Sequence, residues 1–334
     1  MNKKNITIIG TGAYGTALAN VLADNDHDVI MYGIVEQQVD DINIYHQNSV
    51  FFDNKKINKS IRATTSMSAA LESAEILILG VPTAAIKFVI DDIIKYAKKP
   101  LDIINTAKGL DEENLGLLSE KIKKYFVNSN VMKSYSALYG PSIAVEVVDR
   151  QPTAIMIASD EMEKAKELCE IFSNEYFYMY PTTDIAGCEI SAALKNSIAI
   201  GGGILKAYNA GDNAHATLLT LGLNEMYEFG KQFGAKLETF LNFAGLGDLI
   251  LTASSKKSRN FRLGEKIVEL NDSKKALESF NLTVEGVETA RIAHEIGLKY
   301  HISMNFFEII YNILYNNVKP ISLLNNVFKD VKLV

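Results

Sequence analysis

The sequence predicts an α/β fold, an N-terminal doubly wound and mainly parallel sheet followed by an all-helical C-terminal domain. Three observations predict it. Short β-branched runs alternate with helical patterns from Asn5 to about Tyr180, strand signals stop beyond Pro181, and a glycine-rich turn joins the first strand to the first helix. Such alternation buries a parallel sheet under helices on both faces. The 334 residues suffice for two domains of roughly 100–200 residues each. Their division is expected at 1–182 and 183–334, with the boundary near residues 181–185.

In chain order the expected strands are Ile6–Ile9, Val29–Tyr32, Ile76–Leu79, Ile103–Ile104, Tyr135–Tyr139, Thr153–Ala158 and Tyr176–Tyr180. The rest reads as helix after helix, with breaks at Gly211, Gly234, Gly245–Gly247 and around Asn281. Within it, Ile185–Leu205 is a largely apolar helix whose only charges are Glu189 and Lys195. The aromatic stretch Phe306–Tyr315 suits burial either within its domain or between subunits, so a homodimer is a candidate assembly.

Composition narrows the function classes. With 34 Lys+Arg against 40 Asp+Glu, the net charge is −6 and basic runs are short. A nucleic-acid partner is therefore not expected. Cys169 and Cys188 form neither a CxxC pair nor a zinc set, which points to a reducing cytoplasm. The five histidines lack ligand spacing, so no metal is expected. The uncharged run Asn5–Ala23 is broken by Gly10, Gly12 and Gly15, and membrane insertion is not expected.

Gly10-Thr11-Gly12-Ala13-Tyr14-Gly15 directly follows the first strand and opens the helix Thr16–Ala23. This is GxGxxG in the strand–turn–helix setting of a Rossmann-type dinucleotide site. Gly10 permits the tight turn, Gly12 lets N–H groups approach a pyrophosphate, and Gly15 allows close helix packing. After the second strand comes Tyr32-Gly33-Ile34-Val35-Glu36, and no Lys or Arg lies between Lys4 and Lys55. Glu36 either accepts from a ribose 2′-hydroxyl or merely starts the next helix. NAD is favoured over NADP, because a 2′-phosphate finds no close counter-charge in sequence.

A lysine buried in an apolar helix is costly unless paired or neutral, and burial moves its pKa toward general-base range. Lys195 is thus a catalytic candidate; the alternative is a lysine snorkelling to solvent. Ser258-Arg259-Asn260 gathers donors and a guanidinium where a helix begins, which suits a phosphate; the alternative is a solvated loop with Ser258 as N-cap. Only five of the 34 basic residues are arginine, which favours a special role for Arg259. Asp248, after Gly245-Leu246-Gly247, supplies a carboxylate or an N-cap. Lys108 follows the strand Ile103–Ile104 at the C-terminal sheet edge, where open α/β folds bind ligands.

Thr106-Ala107-Lys108-Gly109-Leu110, Gly140-Pro141-Ser142, Leu194-Lys195-Asn196, Gly245-Leu246-Gly247-Asp248-Leu249 and Ser258-Arg259-Asn260 follow the glycine loop in order. In this register the chain resembles the bacterial NAD(P)-dependent sn-glycerol-3-phosphate dehydrogenases, from the glycine loop to Val284-Glu285-Gly286. The resemblance implies reversible hydride transfer between sn-glycerol 3-phosphate and NAD(P)+, giving dihydroxyacetone phosphate and serving phospholipid synthesis. It implies Lys195 as proton acceptor. It also implies Lys108, Gly140, Ser142, Asp248, Ser258, Arg259 and Asn260 as substrate ligands. Gly10, Gly12, Ala13, Tyr14, Gly15, Lys108, Ala144, Arg259 and Glu285 are implied at the cofactor.

Three positions depart from the family's pattern: Ile34 where Arg or His is common, Leu221 for a commonly basic residue, and Ser303-Met304-Asn305 for a Pro-containing segment. Two other classes compete. A β-hydroxyacid dehydrogenase pairs the same kinds of domain, but its helix spaces Lys and Asn by four, whereas Asn196 adjoins Lys195 and position 199 is Ala199. A non-catalytic NAD sensor has no evident need for a base plus a phosphate grip.

Overall fold

The computed structural model describes residues 3–280, 284–326 and 329. The break expected around Asn281 lies outside the described residues. The chain folds as two compact units, Met1–Ala107 with Ser119–Ile185, and Lys108–Leu118 with Ala186–Val334. These units differ from the expected division at Lys108–Leu118 and at residues 183–185. Lys108–Leu118 lies in the N-terminal half of the sequence yet packs with the helices, because Leu110, Leu115 and Leu117 join the helical core.

The first unit is built on eight strands: β1 (Asn5–Ile9), β2 (Asp28–Tyr32), β3 (Arg62–Thr64), β4 (Ile76–Leu79), β5 (Leu101–Asn105), and, beyond the short hairpin β6 (Leu110–Asp111) and β7 (Gly116–Leu117) of the other unit, β8 (Met132–Tyr139), β9 (Thr153–Ser159) and β10 (Phe177–Thr182). Their order is β10-β9-β8-β5-β4-β1-β2-β3. All neighbours are parallel except β8 and β9. Every residue of β4 and β5 is buried, the mark of central strands covered on both faces. Pro181 sits on β10, an edge strand, where a missing N–H is tolerated. β3 and the β6–β7 hairpin were not expected, since strands of two or three residues carry no readable alternation.

The chain leaves β1 toward β2 on one side, while β4 lies on the other, so the strand order reverses between β1 and β4. Ligands of open α/β sheets bind at such a reversal, outside the carboxyl ends of the strands. The helix α1 (Ala13–Asp24) starts there. Its Leu18, Val21 and Leu22 pack with Ile6, Ile8, Ile76 and Ile78 in the core of this unit.

In the second unit, α2 (Ile185–Ala207) is central. Every residue from Gly187 to Leu205 is buried, as expected of a helix apolar all round. Around it stand α3 (Gly211–Lys231), α4 (Asp248–Ser254), α5 (Arg259–Leu270), α6 (Glu285–Tyr300) and α7 (Asn305–Tyr315). A Cβ on Gly203 of α2 would come within 1.9 Å of the Phe261 carbonyl oxygen, and one on Gly264 of α5 within 2.0 Å of the Ile200 oxygen. The two helices thus touch backbone to backbone. Phe306, Phe307, Ile310, Ile313 and Leu314 of α7 are buried in the core of this unit. Among the described residues, no helix is long and apolar enough to cross a membrane.

Candidate active site

In the first unit the glycine loop spans the reversal point. Gly10 has φ +114°, and a Cβ there would lie 2.5 Å from the Gly80 carbonyl oxygen, just past β4. Only glycine fits that conformation and that space. Gly12 is the N-cap residue of α1, without a side-chain cap. A Cβ on Gly12 would meet nothing nearer than the Gly80 oxygen at 4.0 Å, so the space over this residue is open. Uncapped N–H groups, the positive end of a twelve-residue helix and this open cradle fit a dinucleotide pyrophosphate. Gly10, Gly12, Ala13, Tyr14 and Gly15 all lie on it.

Ser142 Oγ is 3.1 Å from both the Tyr14 hydroxyl and the Gly140 carbonyl oxygen, so Ser142 and Gly140 lie beside the loop. Ala144 opens the short helix Ala144–Val148 just beyond. After β2, Ile34 is 83% exposed and Glu36 begins the helix Glu36–Asp40. The nearest basic residue on the adjoining strand, Arg62, pairs with Ile30 two residues before the end of β2, while Tyr32 pairs with Thr64. That places Arg62 away from the carboxyl ends of the strands, where ribose is read.

In the second unit Lys195 and Asp248 form an ion pair with both side chains almost fully buried. Lys195 Nζ also donates to Thr252 Oγ1 at 2.9 Å, and that hydroxyl donates to the Asp248 carbonyl oxygen at 2.6 Å. Lys108 Nζ reaches the other carboxylate oxygen of Asp248 at 3.4 Å. One carboxylate therefore stands between two ammonium groups. Burial pulls the Lys195 pKa down from its ordinary 10.5 to about 7, the Asp248 charge opposes this, and the Lys108 charge adds to it. The net direction is downward, toward the range in which a lysine can exchange its proton with a substrate.

Beside Lys195, Asn196 is the centre of a second set of bonds. Its Nδ2 donates to Glu285 Oε2 at 3.2 Å, and its Oδ1 accepts from Asn260 Nδ2 at 3.1 Å. Asn260 Oδ1 accepts the Gly286 N–H at 2.9 Å, and Ser197 Oγ donates to the Gly286 carbonyl at 2.8 Å. These bonds join α2, α5 and the start of α6. Asn260 is buried and its amide is largely taken up by protein, leaving one N–H for a ligand. Ser258 caps α5 by accepting the Phe261 N–H at 3.3 Å, as its N-cap reading requires, and Arg259 is the exposed first residue of that twelve-residue helix.

Two clusters thus emerge from the predicted residues. Gly10, Gly12, Ala13, Tyr14, Gly15, Gly140 and Ser142 gather in the first unit. Lys108, Lys195 and Asp248 gather in the second, with Asn260 and Glu285 tied together through Asn196. Lys108 follows the carboxyl end of β5 by three residues, as expected, and opens the segment that packs with the helices. Thr252 was missed by the sequence reading. Its signal was local, since Asp248 and Thr252 are four apart and share a helix face.

Two family models match the chain: the NAD-dependent glycerol-3-phosphate dehydrogenase N-terminus over residues 5–165 and the corresponding C-terminus over residues 184–325. A curated glycerol-3-phosphate dehydrogenase [NAD(P)+] of Mesoplasma florum is 90% identical over 334 residues, all of both chains. That of Shouchella clausii is 38% identical, covering 95% of this chain and 93% of its own. Among solved structures, the glycerol-3-phosphate dehydrogenase of Coxiella burnetii is 31% identical with a TM-score of 0.89, over 98% of this chain and 99% of that one.

Proposed function

Because the chain belongs to the NAD-dependent glycerol-3-phosphate dehydrogenase family, we propose that Lys195 is the proton-transfer group of an NAD(P)-dependent oxidation of sn-glycerol 3-phosphate to dihydroxyacetone phosphate. The observation that carries this is the buried Lys195–Asp248 pair with Lys108 on its far side. When bound, the nicotinamide supplies the hydride acceptor. Lys195, as neutral amine, takes the proton of the C2 hydroxyl; as ammonium, it returns that proton to the ketone oxygen. Asp248 and Thr252 hold Nζ in place, so the amine is oriented before substrate arrives. Lys108 adds positive charge where oxygen becomes negative.

Arg259, with Ser258 and the remaining N–H of Asn260, grips the substrate phosphate at the positive end of α5. Binding energy gained at the phosphate then positions C2. Gly140 and Ser142 contact the substrate. Gly10, Gly12, Ala13, Tyr14, Gly15 and Ala144 hold the dinucleotide in this reading, and Lys108, Arg259 and Glu285 are assigned to the cofactor as well. The first unit is the dinucleotide domain and the second the substrate domain.

For the coenzyme we infer NAD over NADP, from the exposed apolar Ile34 and the acidic Glu36 after β2. The test follows oxidation of NADH and NADPH in parallel with dihydroxyacetone phosphate. The expected result is turnover with both and a kcat/KM at least about tenfold higher for NADH, a difference of ~1.4 kcal/mol. Equal values would overturn the coenzyme reading. No turnover by folded protein that binds nucleotide tightly would overturn the assignment of these residues.

A cytoplasmic location and a homodimer belong to the same proposal. The first is supported by two free cysteines, Cys169 and Cys188. The second takes no support from the apolar side chains of α7, which are buried in their own unit. Cell fractionation and equilibrium sedimentation decide them: activity outside the cytosolic fraction, or a monomer mass at assay concentration, would count against each in turn.

A further inference from the structure

We propose that Asn48 is a positioning residue for the dinucleotide loop, holding it from behind through one buried amide. Asn48 is fully buried. Its Nδ2 donates to the Thr11 carbonyl oxygen and to Thr16 Oγ1, both at 2.9 Å. These acceptors bracket the turn: Thr11 lies between the first two glycines, and Thr16 follows the third. Both N–H bonds of the amide are therefore spent on the glycine loop. The Thr11 carbonyl accepts only, so the nitrogen of the amide, not its oxygen, must face it.

The other half of the amide makes the same point. Asn48 Oδ1 has no hydrogen-bond partner among the described residues. A buried acceptor without a partner costs stability, and an apolar side chain would avoid that cost. The donor half is what this position keeps.

The amide is itself held. Asn48 precedes the short helix Ser49–Phe52, where its carbonyl accepts the Phe51 and Phe52 N–H groups, and Phe52 is anchored in the core. The Asp41 carboxylate accepts the Ser49 N–H at 2.6 Å and the Gln47 amide at 2.8 Å. Burial would raise the Asp41 pKa, but these hydrogen bonds outweigh it and keep the carboxyl below its usual value. From Asp41 through Ser49 to Asn48, the connection between β2 and β3 buttresses the loop. The consequence is a preset direction for the N–H groups at the start of α1, so that little ordering remains when a pyrophosphate arrives.

The inference rests on the reading of the glycine loop as the dinucleotide site, and the experiment separates the two. Dissociation constants for NADH are measured by fluorescence on the full-length protein, beside steady-state kinetics with dihydroxyacetone phosphate. Asn48→Ala is expected to weaken NADH binding about tenfold, with kcat at saturating NADH and the KM for dihydroxyacetone phosphate changed less than about twofold. Asn48→Asp is expected to bind more weakly still, because a carboxylate would face the Thr11 carbonyl and the incoming phosphates; a role in fold stability alone does not order the two variants this way in affinity. If Asn48→Ala does not fold, Thr16→Val removes one acceptor at nearly constant shape and is expected to weaken NADH about threefold, with Thr16→Ser restoring it. Unchanged NADH affinity in Asn48→Ala, or in Thr16→Val where the first variant does not fold, overturns the inference when Gly12→Val abolishes binding. A Gly12→Val protein that binds NADH normally instead overturns the reading of the loop.

Discussion

Lys195→Ala is expected to lower kcat about a thousandfold or more while NADH still binds, the span that follows from loss of a positioned acid–base group. The same change leaves Asp248 buried with Lys108 as its remaining ammonium partner. Breaking a buried pair from one side costs ~3–5 kcal/mol of stability, so the melting temperature falls as well, and activity is to be measured well below it. Lys195→Arg separates charge from chemistry. A guanidinium keeps the positive charge beside Asp248 but does not release its proton at working pH, so stability returns in part and turnover does not. The pH profile of the unaltered enzyme gives the sign. Burial lowers the lysine pKa to about 7; glycerol phosphate oxidation needs the neutral amine and rises as pH increases through that range, whereas ketone reduction needs the ammonium and falls. Profiles of kcat/KM in both directions check this. Two flat profiles, or an Arg variant as active as the parent, would remove the lysine from the proton path.

Arg259→Ala is expected to lower kcat/KM for dihydroxyacetone phosphate about a hundredfold to a thousandfold, since removing one partner of a hydrogen-bonded charge pair costs ~2–5 kcal/mol. Arg259→Lys recovers only part of the loss, because an ammonium lacks the two-pronged grip of the guanidinium. The decisive comparison uses a substrate without the phosphate. On dihydroxyacetone itself the parent is expected to be slow, and Arg259→Ala equally slow. A variant that loses the same factor on both substrates would place Arg259 away from the phosphate. The NADH KM, measured in the same series, separates the substrate contact from the cofactor contact.

What the sequence makes legible is what local physics determines. GxGxxG between a strand and a helix is a contiguous pattern, and its cradle at the β1–β4 reversal follows from it. Lys195 stands out because an apolar helix with two charges is itself a local anomaly. The partners of that lysine are another matter. Asp248 and Lys108 lie 53 and 87 positions away in sequence, and no periodicity reports such pairings. The transfer of Lys108–Leu118 to the helical unit is decided by three leucines choosing a core, which a two-residue strand gives no means of foreseeing. Asn48 is hidden for the same reason: a single amide in an irregular crossover has no pattern around it. Thr252 is the exception, since its four-residue spacing from Asp248 was there to be read.

The meeting of α2 and α5 at Gly203 and Gly264 bears on what the enzyme can become. Lys195 is carried by one of these helices and Arg259 by the other, and where they cross there is no side chain between them. In the roles proposed for Lys195 and Arg259, the span between the helices that carry them is therefore gauged by main chain against main chain. A gauge made of side chains is lengthened by trimming one; this one has nothing to trim. On those roles, lengthening the backbone span for a polyol phosphate with an extra carbon between its hydroxyl and its phosphate would require displacing a whole helix. Side-chain substitutions along such a site are then expected to change how tightly a substrate is held more readily than how long that substrate is.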